Sequence, residues 1–464
     1  MTDDPFHPAS FRDPSGHIFV RDEKIYRQVN KSYQKQYDLL LESGLYKNLT
    51  DHKLLIPHVD APQDYAVTDD AYLVIAPETV PFISYPYEWS FSQLQDAALA
   101  TLTIQQRALD YGMSLKDASA YNIQFVGGRP MLIDTLSFEQ YHQGQPWVAY
   151  AQFCRHFLAP LALMARRDVR LSALLRVRLD GIELDLASRL LGLSSWLRFS
   201  LLTHIHLHAR AQKKYADART SGSSSGRSMS LRSLKGLIDN LQASVRTLKW
   251  SLPKTAWAKY YDEANYSDDA MDDKKQLVQQ YLGDIKPASV WDLGANVGVF
   301  SRVAAGLGIR TVAFDFDPVA VENNYRDCRS DAAGKILPLV LDLTNPSPAL
   351  GWAHTERMSL AGRGPADCVM ALALLHHLAI SNNLPFGRIA EYLAQIGKTL
   401  IIEFVPKSDS MVQRLLSSRE DIFDKYDRVN FEKTFDRFFE TIDSQHVRES
   451  ERTIYLMKSR GTKK

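Results

Sequence analysis

From about Lys286 onward, apolar residues fall in short runs bounded by turn residues, and stretches of helical spacing separate them. The runs are SVWDLG, RTVAFDFD, ILPLVLDL, DCVMALAL and TLIIEF, with helices expected through FSRVAAGLG and VENNYRDCR. Runs of this kind suit strands buried on both faces, and their alternation with helices predicts an α/β Rossmann-like parallel sheet with helices on both sides. Between about 146 and 285, apolar residues recur at helical spacing in FCRHFLAPLALMARR and LSALLRVRLDGIELDLASRLLGL, which predicts a helical part. Residues 1 to about 145 mix extended runs with turn signals. There DPSG, HIFV, a polar RDEK and IYRQV predict a hairpin in an α+β front part.

A chain of 464 residues with 45% hydrophobic content can build two or three real cores, so wholesale disorder is excluded. Lys plus Arg number 55 against 54 Asp plus Glu. A chain-wide basic field for nucleic acid or an anionic membrane is therefore absent, and only a local patch could serve. The segment 209–236 is locally basic, with seven Lys or Arg against Asp217 and an SGSSSG run at 221 to 226. It reads as a flexible hinge; contact with nucleic acid is the competing reading, weakened because no aromatics interleave the charges. Cys154, Cys328 and Cys368 are widely spaced with no CxxC, which argues against a disulfide framework or a cysteine-built zinc site and suits a reducing cytoplasm. The acidic start MTDDPFHPAS is no secretory signal, and no apolar stretch approaches the 18 or so residues of a membrane span. A cytoplasmic chain with no membrane partner and no metal site is expected.

The strongest chemical signal is Val290-Trp291-Asp292-Leu293-Gly294-Ala295-Asn296-Val297-Gly298, an apolar strand running into a glycine-rich turn ahead of a helix. The glycines let backbone approach a ligand at the carboxyl end of the strand. The spacing D-x-G-x-N-x-G departs from the dinucleotide pattern G-x-G-x-x-G, and the acid in the turn suits a ligand carrying an ammonium group. Asp315 ends the next strand about twenty residues on, where a carboxylate can hold ribose hydroxyls. An amino acid joined to a nucleoside satisfies both.

The stretch from about 286 to 406 resembles class I S-adenosylmethionine-dependent methyltransferases. The resemblance implies that Asp292, Gly294, Asn296 and Gly298 lie against the methionine part of the cofactor, that Asp315 binds the ribose, and that Asp342 lies near the adenine. Asp342 has a bland alternative as the cap of the turn before NPSP. The resemblance also implies that Asp367 through Leu378, ADCVMALALLHHL, is the strand and exit where methyl donor faces acceptor. His376 and His377 in that exit are candidate catalytic bases, since histidine titrates near neutrality; the alternative is an imidazole that merely hydrogen-bonds cofactor or loop. Glu403, ending TLIIEF, orients an acceptor or a helix, or else caps or faces solvent. Tyr260, Tyr261 and Tyr266 stand ahead of the sheet, where a lid is one reading and packing the other. The absence of N-P-P-Y after the fourth strand disfavours adenine-N6 or glutamine as acceptor, and the acceptor itself is not identified.

A second constellation is Asp117, Asn122 and Asp134, spaced like the proton acceptor and the two metal-holding residues of phosphoryl transfer. It resembles kinase-like proteins of the aminoglycoside phosphotransferase type, which implies ATP and Mg at those residues. The departures are Leu115 before Asp117, no glycine-rich loop, and no V-A-I-K lysine, for which Lys24, Arg27 or Lys53 are substitutes. The run Thr203-His204-Ile205-His206-Leu207-His208 invites a metal reading, but helical flanks send alternate histidines apart and favour packing. The expected domains are 1–145, the front of a kinase-like domain; 146–250, its helical lobe; and 251–464, a methyltransferase using S-adenosyl-L-methionine. The alternatives are a bifunctional methyltransferase and phosphotransferase, and a non-catalytic binder of the cofactor.

Overall fold

The computed structural model describes residues 6–211, 228–253, 267–329, 334–417 and 419–461. Most of the basic stretch 209–236, and Tyr260, Tyr261 and Tyr266, lie outside the described residues. The chain divides into two compact units, Met1–Ser251 with Gly351–Glu356, and Leu252–Leu350 with Arg357–Lys464.

In the first unit, β1 (Gly16–Arg21), β2 (Lys24–Asn30), β3 (His58–Asp60) and β4 (Ala71–Pro77) form an antiparallel sheet in the order β1-β2-β4-β3. β1 and β2 are the hairpin expected from sequence, closed by Asp22 and Glu23 at φ 49° and 61°. Tyr33 and Tyr37, before and within the helix Gln34–Glu42, pack with Val29, Ile75 and Leu136 under the sheet. The helix Phe91–Asp110 starts at a capping box: the Ser90 hydroxyl accepts from the Gln93 N–H and the Gln93 side chain accepts from the Ser90 N–H. Two short ladders follow. β5 (Met113–Leu115) pairs with β8 (Phe138–Gln140), and β6 (Ile123–Val126) pairs with β7 (Arg129–Leu132) through Gly127 and Gly128 at φ 57° and 74°, as a tight hairpin requires. Beyond them the unit is helical, and Leu231–Thr247 is tied to Phe91–Asp110 by Gln95, whose Nε2 donates to the Val245 carbonyl at 2.7 Å.

The second unit opens with the helix Asp268–Ile285, capped by Ser267 and carrying Asp268 and Asp269 in its first turn, where negative charge is favoured. The sheet contains β9 (Ser289–Leu293), β10 (Arg310–Asp315), β11 (Ile336–Val340), β12 (Ala366–Ala371), β13 (Gly397–Phe404), β14 (Phe439–His446) and β15 (Thr453–Ser459) in the order β11-β10-β9-β12-β13-β15-β14. The first five strands of that order are parallel, but β15 runs antiparallel to both β13 and β14. The five runs named in the sequence thus form the parallel part, and β14 and β15 make the sheet a mixed one, because a terminal hairpin can add a strand without a crossover helix. Val278 and Leu282 of the first helix, Phe300 and Ala304 of Val299–Gly306, and Met370, Ile401 and Leu456 of the sheet share one core. The order reverses between β9 and β12, so a crevice opens at the carboxyl ends of these strands.

Candidate functional site

The glycine-rich turn lies at that crevice. Asp292 in β9 is buried, and its Oδ2 accepts from the Ser301 hydroxyl at 2.6 Å. The chain then turns through Gly294, Asn296 and Gly298 at φ +73°, +51° and +83°. A Cβ on Gly298 would lie 2.5 Å from the Asn324 side chain, and one on Gly294 would lie 3.2 Å from Leu374 Cδ1. The helix Val299–Gly306 starts directly after Gly298, so its unpaired N–H groups end at the turn. Asp315, the last residue of β10, accepts the Asn296 N–H on Oδ2 at 2.8 Å and the Asp317 N–H on Oδ1 at 2.9 Å. The two motifs read separately in sequence are therefore one hydrogen-bonded unit. Burial pushes the carboxyls of Asp292 and Asp315 up to about 6, and the charge of Asp315 adds to the shift at Asp292. Asp342 is exposed and binds the N–H and hydroxyl of Thr344 at 2.8 and 2.7 Å, the geometry of a turn cap. The Leu341 N–H donates to the Asp315 carbonyl at 2.8 Å, which sets Asp342 next to the carboxyl end of β10.

The exit of β12 forms the other wall. Ala373, at φ +50°, donates its N–H to Glu403 Oε2 at 2.6 Å, and Lys274 Nζ meets the same oxygen at 2.7 Å. Both charged side chains are buried. Arg452 stands 3.9 Å from Glu403 Oε1 and pairs with Asp409 at 2.7 Å. The solvent reading of Glu403 is thereby corrected: a glutamate near the end of an interior strand, flanked by Ile402 and Phe404, has no path to water. His376 is fully buried, and neither ring nitrogen has a hydrogen-bond partner among the described residues. Burial, with the adjacent His377 and the charges of Arg452 and Lys274, pushes His376 well below the ordinary histidine value. Burial and Arg452 bring His377 down to about 4, so both imidazoles are neutral at pH 7. Sequence reasoning missed Lys274 and Arg452 altogether; the one available signal for Lys274 was a cation on the core-facing stripe of an amphipathic helix.

In the first unit the structure brings Asp117, Asn122 and Asp134 into one network. Asp117 Oδ1 accepts from the Ser119 N–H at 2.9 Å and from Gln152 at 2.8 Å, and Asn122 lies near enough to help hold its carboxyl down. Asn122 Nδ2 lies 3.5 Å from the Ser137 hydroxyl, which in turn donates to Asp134. Burial pushes the Asp117 carboxyl up. At Asp134 burial acts the same way, but Arg27 and the bonds from Ser137 and Leu136 outweigh it and hold the carboxyl low. Arg27 Nη1 meets Asp134 at 2.5 Å while Nη2 meets Asp13 at 2.7 Å. Of the three candidate cations, Arg27 alone reaches Asp134; Lys24 and Lys53 are exposed. No group of three His, Cys, Asp or Glu side chains that could hold a metal occurs among the described residues. His204 and His206 are buried, each held on both nitrogens: His204 by Tyr150 and Asn240, His206 by Ser188 and Ser195. These bonds account for the histidine run by packing.

No family model matches the chain. Among solved structures, the magnesium protoporphyrin IX methyltransferase ChlM from Synechocystis PCC 6803, with bound SAH, is 17% identical, with 44% of this chain and 92% of that one covered at a TM-score of 0.32. The N-methyltransferase NodS from Bradyrhizobium japonicum WM9 is 9% identical, with 42% of this chain and 98% of that one covered at a TM-score of 0.31. Likeness at such scores carries no weight beside the strand order itself. The nodulation protein NoeA of Rhizobium meliloti (strain 1021) is a different matter, being 35% identical over 457 residues that span 96% of this chain and 94% of that protein. The chain belongs to the NoeA family.

Proposed function

We propose that the second unit transfers a methyl group from S-adenosylmethionine and that the first, a kinase-like lobe, recognises the acceptor. The observation that carries the reading is the joined Asp292, Gly294–Gly298 and Asp315 unit at the strand-order reversal. Two buried carboxylates raised to about 6 gain from a cationic ligand, so the donor set fits an ammonium and sulfonium carrier with ribose hydroxyls. When bound, the cofactor supplies an electrophilic methyl group. The chain's own part is to hold donor and acceptor in contact, which supplies much of the rate in an in-line displacement. Asp315 would hold the ribose and the N–H groups at the turn the carboxylate end, while Glu403 fixes the β12 exit through Ala373. His376 and His377 are neutral, so each can accept a hydrogen bond or proton from an acceptor; a conjugate acid near 4 makes His377 a weak base, suited to an acceptor that is already nucleophilic.

Asp342 would contribute at the adenine through Oδ2, since both bonds from Thr344 go to Oδ1. The kinase-like reading of the first unit is supported by the grouping of Asp117, Asn122 and Asp134 about the β6–β7 hairpin. That grouping favours ATP and Mg binding as a second reading; the Arg27 guanidinium on Asp134 speaks for a lobe that binds without turning over. The decisive experiment is calorimetry with S-adenosylmethionine, followed by mass analysis of cell extract incubated with isotopically labelled cofactor. Absence of binding would overturn the methyltransferase reading; binding with no labelled product would leave a cofactor-binding protein. Magnesium-dependent ATP turnover lost in both Asp117→Ala and Asp134→Ala would establish the bifunctional reading.

A further inference from the structure

The helical part of the first unit presents a short surface turn of an unusual kind. Leu193, Leu197 and Phe199 are 88%, 90% and 73% exposed. A single exposed leucine is ordinary, but three large apolar side chains within seven positions make a patch. At such exposures these side chains stand out from the surface, so they are shaped to enter a soft medium rather than to mate with a flat face.

The charges around the turn are one-sided. The Arg167 Nε donates to the Leu190 carbonyl at 2.7 Å, which lays that guanidinium against the turn. Burial, and after it the positive charge of Arg198, lowers the Arg166 pKa from its ordinary value. Arg210 lies over the Trp196 ring, 4.6 Å from its centroid, and Trp196 stacks on the buried His206. None of Arg166, Arg167, Arg198 and Arg210 meets a carboxylate among the described residues, whereas nearby Arg170 and Arg189 pair with Asp168 and Asp185. Guanidiniums left beside one another without an acid call for phosphate, which they bind through paired N–H groups. A phosphate polymer such as RNA would satisfy them but would leave the three apolar tips in water. A bilayer surface satisfies both, with apolar side chains beneath the headgroups and guanidiniums among the phosphates.

We propose that the Leu193–Phe199 turn, with Arg166, Arg167, Arg198 and Arg210, docks the first unit on an anionic lipid bilayer. Docking is peripheral, since no helix among the described residues is long and apolar enough to cross a membrane. The net charge of +1 does not oppose it, because screening confines surface electrostatics to about 10 Å and a local patch acts alone.

The test is co-sedimentation of the full-length protein with phosphatidylcholine vesicles with and without phosphatidylserine. Binding is expected to the phosphatidylserine vesicles and to fall as salt rises. A triple variant Leu193→Ser, Leu197→Ser, Phe199→Ser should bind at least about tenfold more weakly. The pair Arg166→Gln, Arg198→Gln should lose the preference for phosphatidylserine. All these side chains are exposed, so unchanged circular dichroism is expected and certifies the comparison. Failure of the wild-type chain to bind either vesicle, or equal binding by the triple variant, would overturn the proposal. A wild-type dimer that the triple variant dissociates would overturn it too, in favour of an interface between copies.

Discussion

Replacing Glu403 by Gln changes one oxygen at a site where nothing is exposed. Lys274 Nζ sits 2.7 Å from Glu403 Oε2, with side-chain exposures of 2% and 0%. At that separation and an effective dielectric near 20, the Coulomb attraction is about 6 kcal/mol. Removing two ions from water costs several kcal/mol each, so the intact pair nets close to zero, while a lone buried ion left by one substitution costs about 3–5 kcal/mol. The Gln amide oxygen can still accept the Ala373 N–H, so the loss isolates the charge. Lys274 can escape by giving up its proton. Burial already lowers its pKa, and without Glu403 it falls further. A lysine with a folded pKa below its unfolded one binds fewer protons when folded, so the variant should gain stability as pH rises toward about 10.

The assay is calorimetric unfolding of the full chain, because two units need not melt in one step. For a unit of about 200 residues, 3–5 kcal/mol is a shift on the order of 10 °C in its transition. The other transition should stay in place. Lys274→Met combined with Glu403→Gln should recover at least about 2 kcal/mol relative to the sum of the singles. Additive single losses below about 1 kcal/mol each would refute the reasoning, since a buried pair cannot then be what joins the first helix to β13.

Affinity for S-adenosylmethionine should fall below about pH 6, by up to tenfold per pH unit for each of Asp292 and Asp315 whose anion contacts the ligand; a flat calorimetric profile from pH 5 to 8 would exclude Asp292 from the cationic end and Asp315 from the ribose. The same raised values act oppositely on the unliganded fold, whose stabilisation from these two groups is full below about pH 4 and is lost as pH rises through about 6. Gly298→Ala should destabilise the second unit by about 1–3 kcal/mol, because a Cβ would strike Asn324 at 2.5 Å and φ is +83°; an unchanged melting temperature would contradict the packing. His377→Ala should lower turnover by about a hundredfold with cofactor affinity intact if it accepts the proton, whereas parallel losses of both mark a binding residue.

Much of the second unit was legible because its chemistry is local. Asp292 through Gly298 is one turn, and buried parallel strands announce themselves as unbroken apolar runs between turn residues. What stayed hidden depends on partners far along the chain. Lys274 meets Glu403 across 129 residues and Arg27 meets Asp134 across 107, and no spacing rule links such positions. β14 escaped notice because it is an edge strand exposed along most of its length, and the buried run of β15 has no helix before it to mark the alternation of the parallel part. The stretch LSALLRVRLDGIELDLASRLLGL has helical spacing throughout, but Gly181 and Gly192 at φ +83° and +73° divide it into separate short helices. Leu193 and Leu197 then fall on a short turn, Leu193–Leu197, whose two leucines face outward, a reversal that helical periodicity cannot foresee.

The position of β15 between β13 and β14 has a consequence for biosynthesis. Residues 453 to 459 are made after every other described strand of this sheet, yet they lie inside it, with Ile454 opposite Glu403. Until they emerge from the ribosome, β13 is a bare edge of Leu400, Ile401 and Ile402, a ready template for pairing with another nascent chain. Arg452 also arrives only then, so Asp409 and Glu403 wait without that cation. Closure of this sheet therefore waits on residue 459, and a nonsense change that removes Arg452 and β15 should yield insoluble protein rather than a merely weakened fold.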